Sequence, residues 1–141
     1  GIFGTVNYRI SQEQFQQQLD TIKHRGPDGF GIWENKTGNV KLGHRRLAII
    51  DTDRRSNQPM IFDNRYAIVF NGEIYNYIEL KKELLQKGVR FVTESDTEVL
   101  FHLMLLEGPS ALSKLNGMWS FVLYDEQEQR FFSVCTIQRF E

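Results

Sequence analysis

The chain opens with small and apolar residues, Gly1, Ile2, Phe3 and Gly4, which predict a buried strand over Gly1 to Tyr8 that reaches the amino end. Ser11 with Gln14 three residues later is a capping-box pattern, and Phe15, Leu19 and Ile22 follow at helical spacing, so a helix is expected to about His24. The turn residues Arg25, Gly26, Pro27 and Asp28 break it. Gly29 to Asn35 and Val40 to Ile50 read as two strands joined by a turn at Lys36 to Asn39, and Asp51 to Pro59 reads as a polar loop. Tyr66 to Phe70 is a short, mostly apolar strand expected to stop at the turn pair Asn71 and Gly72. Asn76 with Glu79, then Ser95 with Glu98, repeat the capping-box pattern ahead of two helical stretches, the first closed by Gly88 and the second by Gly108 and Pro109. Met118 to Tyr124 and Arg130 to Val134 predict a last hairpin across the polar turn Asp125 to Gln129. Hairpins interleaved with a few helices, without regular βαβ units, point to antiparallel sheets covered by helices.

At 141 residues the chain is expected to hold one domain. Hydrophobic residues at 40% and charged residues at 25% exclude a disordered or fibrous chain. Seventeen Lys plus Arg stand against eighteen Asp plus Glu, a net charge of -1, which is too even for the field-driven capture of nucleic acid or anionic lipid. No apolar run approaches the roughly 20 residues of a membrane span, and the first residues lack a signal-like pattern, so a cytoplasmic setting is the expectation. The single cysteine, Cys135, has no CxxC or histidine neighbour and predicts neither a disulfide nor a metal site. His24, His44 and His102 lack metal-ligand spacing and a visible acidic partner, so all three are expected to be structural. Trp33, Trp119, Phe121 and Phe131 fall in strand-like runs and are expected in the core.

Several separated words then change the picture. They are Gly1-Ile2-Phe3-Gly4, His24-Arg25-Gly26-Pro27-Asp28, His44-Arg45-Arg46-Leu47-Ala48-Ile49-Ile50-Asp51, Asn71-Gly72-Glu73-Ile74-Tyr75-Asn76 and Ser95-Asp96-Thr97-Glu98. In this order and over nearly the whole chain they resemble the class II glutamine amidotransferases, a group of N-terminal-nucleophile hydrolases. More narrowly, they resemble the glutamine-hydrolysing asparagine synthetases. The resemblance implies an α+β fold of the four-layer αββα type, two stacked antiparallel sheets between helices, with residues 1–141 forming a type-2 glutamine amidotransferase domain.

It also implies the chemistry. In that family an N-terminal cysteine attacks the side-chain amide of glutamine, and its own α-amine, with an ordinary pKa of about 8, acts as the base. Gly1 matches the position just after that cysteine, so the chain from Gly1 onward is expected to lack the nucleophile and to be inactive alone; Cys135, being internal, is no substitute. Asn71 and Gly72 match the oxyanion donors. Arg46 matches the residue that grips the α-carboxylate, which suits a guanidinium's two parallel donors. Arg45 is expected on the opposite strand face, in solvent. The main chain of Leu47, Ala48, Ile49 and Ile50 is expected to line the pocket while their side chains enter the core. Glu73 and Asp96 match the contacts to the α-ammonium, and Arg25 to Asp28 match a loop at the pocket border.

No metal or cofactor is implied for this domain. ATP and magnesium are implied for a synthetase domain, absent from these residues, that amidates aspartate or a related acceptor with the ammonia released. L-glutamine, a synthetase domain or subunit, and a homodimer of the parent protein are the implied partners, with no nucleic acid and no membrane. Val134 to Phe140 departs from the family's continuing pattern. The alternative reading is a catalytically silent glutamine-binding or interaction module that has lost its nucleophile.

Overall fold

Strand alternation arranges the layers. The computed structural model describes residues 1–50 and 53–136, and in it strands β1 (Ile2–Val6), β2 (Gly29–Glu34) and β3 (Val40–Arg46) form one antiparallel sheet in the order β1-β3-β2. Being central, β3 pairs on both edges, with Ile2 opposite His44 on one side and Gly29 opposite Arg46 on the other. Its side chains point alternately to the two faces of the sheet. Val40 and Leu42 meet Ala67, Val69 and Tyr124 of a second sheet, and Gly43 lies under helix α1 (Gln12–Asp20), where an added Cβ would come within 2.8 Å of Phe15.

The second sheet runs β4-β5-β6-β7, from strands β4 (Met60–Phe62), β5 (Tyr66–Ile74), β6 (Gly117–Asp125) and β7 (Arg130–Cys135). One face of β5 packs on the first sheet. The other, with Ile68, Phe70 and Ile74, packs beneath α2 (Tyr77–Gln86) and α3 (Asp96–Glu107) through Leu80, Leu84, Val99, Leu100 and Leu103. The layers therefore run α1, first sheet, second sheet, α2 with α3, which is the four-layer sandwich that the resemblance implied.

Several elements depart from the sequence expectation. β5 does not stop at Asn71 and Gly72 but continues in register to Ile74, with Gly72 opposite Trp119. Gly72 makes this continuation possible: its φ is 141°, and a Cβ there would sit 2.1 Å from the Met118 carbonyl oxygen of β6. β4 was not foreseen, because three residues beside a proline carry too little alternation to read. β3 ends at Arg46, and Leu47 to Ile50 leave the sheet. Leu47 (56%) and Ile49 (62%) are exposed, so their side chains are not core.

Of the three expected capping boxes, the one at Ser11 and Gln14 forms in full. Asn76 makes no cap hydrogen bond to α2; its side chain donates to the Lys114 carbonyl at 2.9 Å and accepts from the Asn116 N–H at 2.9 Å, tying the helix start to the approach to β6. Ser95 caps α3 by accepting from the Glu98 N–H at 3.3 Å, but the Glu98 carboxylate turns instead to the preceding loop. Helix α1 ends at Asp20, and Lys23–Arg25 form a separate 3-10 turn. Phe131, on β7, is 37% exposed rather than core. Asp51, Thr52 and the tail from Ile137 to Phe140 lie outside the described residues.

Candidate functional site

A cavity of about 320 Å³ opens where β3 ends, bounded by the segment Leu47 to Ile50, the far half of β5 and the first turn of α3. Arg46, Leu47, Ile49, Ile50, Asn71, Gly72, Glu73 and Asp96 all line it, so residues scattered over the chain converge there as the sequence expected. Arg25 borders the cavity, in keeping with the expected loop. Ala48 is not among the lining residues: its N–H is held by the Asp28 carboxylate at 2.9 Å, a bond that orients the segment from behind.

Arg46 is buried and donates through Nη1 to the Asp53 carbonyl at 3.1 Å and to Asn57 Oδ1 at 2.7 Å, so the loop after β3 fixes its guanidinium at the cavity wall. Arg45 does alternate to the opposite face, but it is buried there, not solvated. It pairs with Asp20 of α1 and lies 4.9 Å over the Phe30 ring of β2. A sheet face roofed by a helix is not solvent, and the alternation pattern does not reveal the roof.

The geometry of β5 follows from where β4 ends. Pairing with β4 stops at Met60 opposite Ile68, leaving the following part of that edge of β5 without a strand neighbour. Along a strand, N–H groups two residues apart point to the same edge. The Phe70 N–H on this edge donates to Gln58 Oε1 at 2.5 Å and the Ile74 N–H donates to Asp96 Oδ2 at 3.1 Å. Gly72 lies midway between them on the same edge, at the cavity wall. Asn71, on the opposite parity, is half-buried and also lines the cavity.

Asp96 sits in the first turn of α3, where the helix dipole favours negative charge. Burial pushes its carboxyl up to about 6; hydrogen bonds from Ile74 and Thr97 oppose the shift, and the nearby charge of Glu73 adds to it. Two residues on, the buried Glu98 accepts from the Val92 N–H at 2.9 Å, the Thr93 N–H at 2.7 Å and the Thr93 hydroxyl at 2.5 Å. Its carboxylate also faces His102 Nε2 at 3.6 Å, so His102 has the acidic partner that the sequence did not show. Burial alone would raise the Glu98 carboxyl, but the hydrogen bonds from His102, Thr93 and Val92 outweigh it and hold the group at about 2.

Gly1 pairs with β3 next to the cavity-lining His44 and Arg46. The Gly1 N–H donates to the Arg45 carbonyl at 2.6 Å and the Gly1 carbonyl accepts from the Arg45 N–H at 2.8 Å, so Gly1 already belongs to the ladder between β1 and β3. His44, beside it on β3, lines the cavity with a buried Nδ1 that has no hydrogen-bond partner. Burial depresses His44 to about 3 and keeps the ring neutral. His24 is exposed, not structural.

Sequence reasoning missed Gln58, Ser56, Thr97, Tyr75 and Met118 as lining residues. Tyr75 and Thr97 sit inside the quoted words but carry no assigned role there, and Gln58, Ser56 and Met118 are brought to the cavity by the fold alone. Among the described residues no group of three or more His, Cys, Asp or Glu is placed to hold a metal ion, and no helix is long and apolar enough to cross a membrane.

Residues 1–135 match the family described as glutamine amidotransferase domain. The chain belongs to that family. Asparagine synthetase [glutamine-hydrolyzing] 1 of Bacillus subtilis is 44% identical over 118 residues, which are 83% of this amidotransferase domain and 18% of the relative. A putative asparagine synthetase [glutamine-hydrolyzing] 2 of Methanocaldococcus jannaschii is 34% identical over 151 residues, covering 94% of the chain and 29% of the relative. The domain thus spans less than a third of these relatives' length. Among solved structures, the glutamine phosphoribosylpyrophosphate amidotransferase from B. subtilis, complexed with ADP and GMP, superposes with a TM-score of 0.77 at 26% identity over 89% of this chain and 35% of that one. The sandwich of two antiparallel sheets is therefore shared with that solved amidotransferase.

Proposed function

We propose that this domain hydrolyses glutamine to glutamate and ammonia for an asparagine-synthetase-type amidotransferase. The observation that carries the proposal is the convergence of Arg46, Asn71, Gly72, Glu73 and Asp96 on one cavity beside the amino end. Extending the ladder between β1 and β3 by one residue before Gly1 sets that residue opposite Arg46. By alternation its side chain shares the face of Ile2, His44 and Arg46, so a cysteine there presents its thiol to the cavity.

Arg46 holds the glutamine α-carboxylate, and Glu73 with Asp96 holds the α-ammonium. The cysteine thiol passes its proton to the residue's own α-amine as its sulfur adds to the side-chain amide carbon. The carbonyl oxygen becomes an oxyanion that accepts from the Gly72 N–H and the Asn71 side-chain amide. Collapse of the adduct breaks the C–N bond, the amine returns the proton to the departing nitrogen, and ammonia leaves a thioester. Water then cleaves the thioester to glutamate and regenerates the thiol. An acceptor domain on the parent protein, using ATP and magnesium to activate aspartate or a related acid, consumes the ammonia; a cytoplasmic setting accompanies this reading.

The test uses the full-length parent protein with its native amino end. Intact-mass analysis of the amino-terminal peptide, before and after treatment with a diazo-ketone glutamine analogue, is expected to show a cysteine preceding Gly1 that becomes covalently labelled. A native start at Gly1, or a folded sample with a terminal cysteine that takes no label, overturns the proposal.

A further inference from the structure

Gln58 has no role in the reaction just described, yet it is buried at the cavity wall and makes the contacts that hold two of its sides together. Its Oε1 accepts the Phe70 N–H at 2.5 Å, and its Nε2 donates to Thr97 Oγ1 at 3.2 Å. The first bond occupies the β5 edge just where pairing with β4 has ended. The second reaches the first turn of α3, on the residue next to Asp96. Gln58's own backbone is pinned from the other side: at Gly31 of β2 an added Cβ would lie 2.2 Å from the Gln58 carbonyl oxygen, so the strand passes directly against it.

We propose that Gln58 is a positioning residue for glutamine hydrolysis, a side-chain substitute for the missing strand partner that holds the Gly72 N–H and the Asp96 carboxylate at a constant separation. The inference rests on the glutaminase function proposed above. The Gly72 N–H lies on the β5 edge between two anchored neighbours, Phe70 held by Gln58 and Ile74 held by Asp96. The Gln58 bond to Thr97 joins those two anchors into one closed frame. Without it, the Phe70 N–H is buried and unsatisfied, a condition the strand relieves by shifting its edge. A shift of about 1 Å in an oxyanion donor is enough to cost on the order of a hundredfold in rate. The Arg46 guanidinium is held by the Asp53 carbonyl and the Asn57 side chain, neither of which is a partner in the Gln58 side-chain hydrogen bonds to Phe70 and Thr97. Asp96 keeps its own bond from the Ile74 N–H when Gln58 is replaced, so the loss falls on the Gly72 donor, and hence on kcat, more than on KM.

The experiment measures glutamine hydrolysis in the full-length parent protein with its native amino end. Gln58→Leu is expected to lower kcat by on the order of a hundredfold while KM for glutamine moves by less than about threefold. Gln58→Glu keeps an acceptor for Phe70 at the same reach, and in its protonated form a donor for Thr97, so it is expected to recover kcat to within about tenfold of the parent. A folded Gln58→Leu with unchanged kcat overturns the proposal, as do equal losses in both variants that follow their melting temperatures alone. If Gln58→Leu does not fold, Gln58→Asn, whose shorter side chain cannot span both partners, takes its place: low kcat at unchanged KM supports the proposal and unchanged kcat overturns it. A parent protein that releases no ammonia from glutamine overturns the glutaminase reading and this one together, whereas parent turnover matched by Gln58→Leu overturns the role of Gln58 alone.

Discussion

Asp96 and Glu98, two residues apart at the start of α3, are both buried carboxyls and titrate in opposite directions, Asp96 at about 6 and Glu98 at about 2. Burial dominates at Asp96, whereas at Glu98 the donors His102 of the same helix and Thr93 and Val92 of the preceding loop outweigh what burial takes away. If ionised Asp96 holds the substrate ammonium, kcat/KM for glutamine falls as the pH drops below about 6, and Asp96→Asn removes that acid limb while raising KM by about tenfold or more, the scale of one charge-assisted hydrogen bond. Steady-state kinetics from pH 5 to 8 on both proteins checks this. Gly72 allows a second residue-level test. An alanine there meets the Met118 carbonyl at 2.1 Å and a φ of 141°, so Gly72→Ala is expected to destabilise the fold by about 3 kcal/mol, measured by urea unfolding.

At the level of elements, the loop before α3 depends on Glu98. The carboxyl's folded pKa, about 2, lies below its ordinary 4.5, so its contribution to stability is full above pH 4.5 and is lost as the pH falls toward 2. Asp96 acts the other way. Its folded pKa exceeds the ordinary 3.8, so the folded state takes up the proton first, and this group favours folding more as the pH falls from above 6 to below 3.8. Glu98→Gln is expected to cost about 1 to 3 kcal/mol at pH 7 and markedly less at pH 3, by urea unfolding at the two pH values. Elements whose signals are local were legible in the sequence: the Ser11 box, the hairpin of β2 and β3, the Gly88 and Gly108 stops, and the last hairpin. Those decided by a neighbour were not. β5 runs through an Asn-Gly pair because β6 lies alongside to pair with it, and Asn76 leaves its cap because Lys114 and Asn116 offer better partners.

Across the whole molecule, the interface between the sheets sets the distance from β3 to β5 and hence the width of the cavity. Leu42 is buried there against Ala67, Val69 and Tyr124. Leu42→Ala is expected to cost about 2 to 5 kcal/mol, read from urea unfolding followed by the fluorescence of Trp33 and Trp119. By itself, the chain's pattern of words pointed to the family, to antiparallel sheets covered by helices and to Arg46, Asn71, Gly72, Glu73 and Asp96 as the candidates that line the cavity, because residue type and local order carry that information. Only the tertiary structure decided that Arg45 is roofed by α1, that Ala48 faces Asp28 instead of the cavity, and that Gln58 holds two walls in place. Burial and hydrogen-bond partnership belong to pairs of residues far apart in the chain, so they come into being when the layers stack and leave no trace in the local spacing.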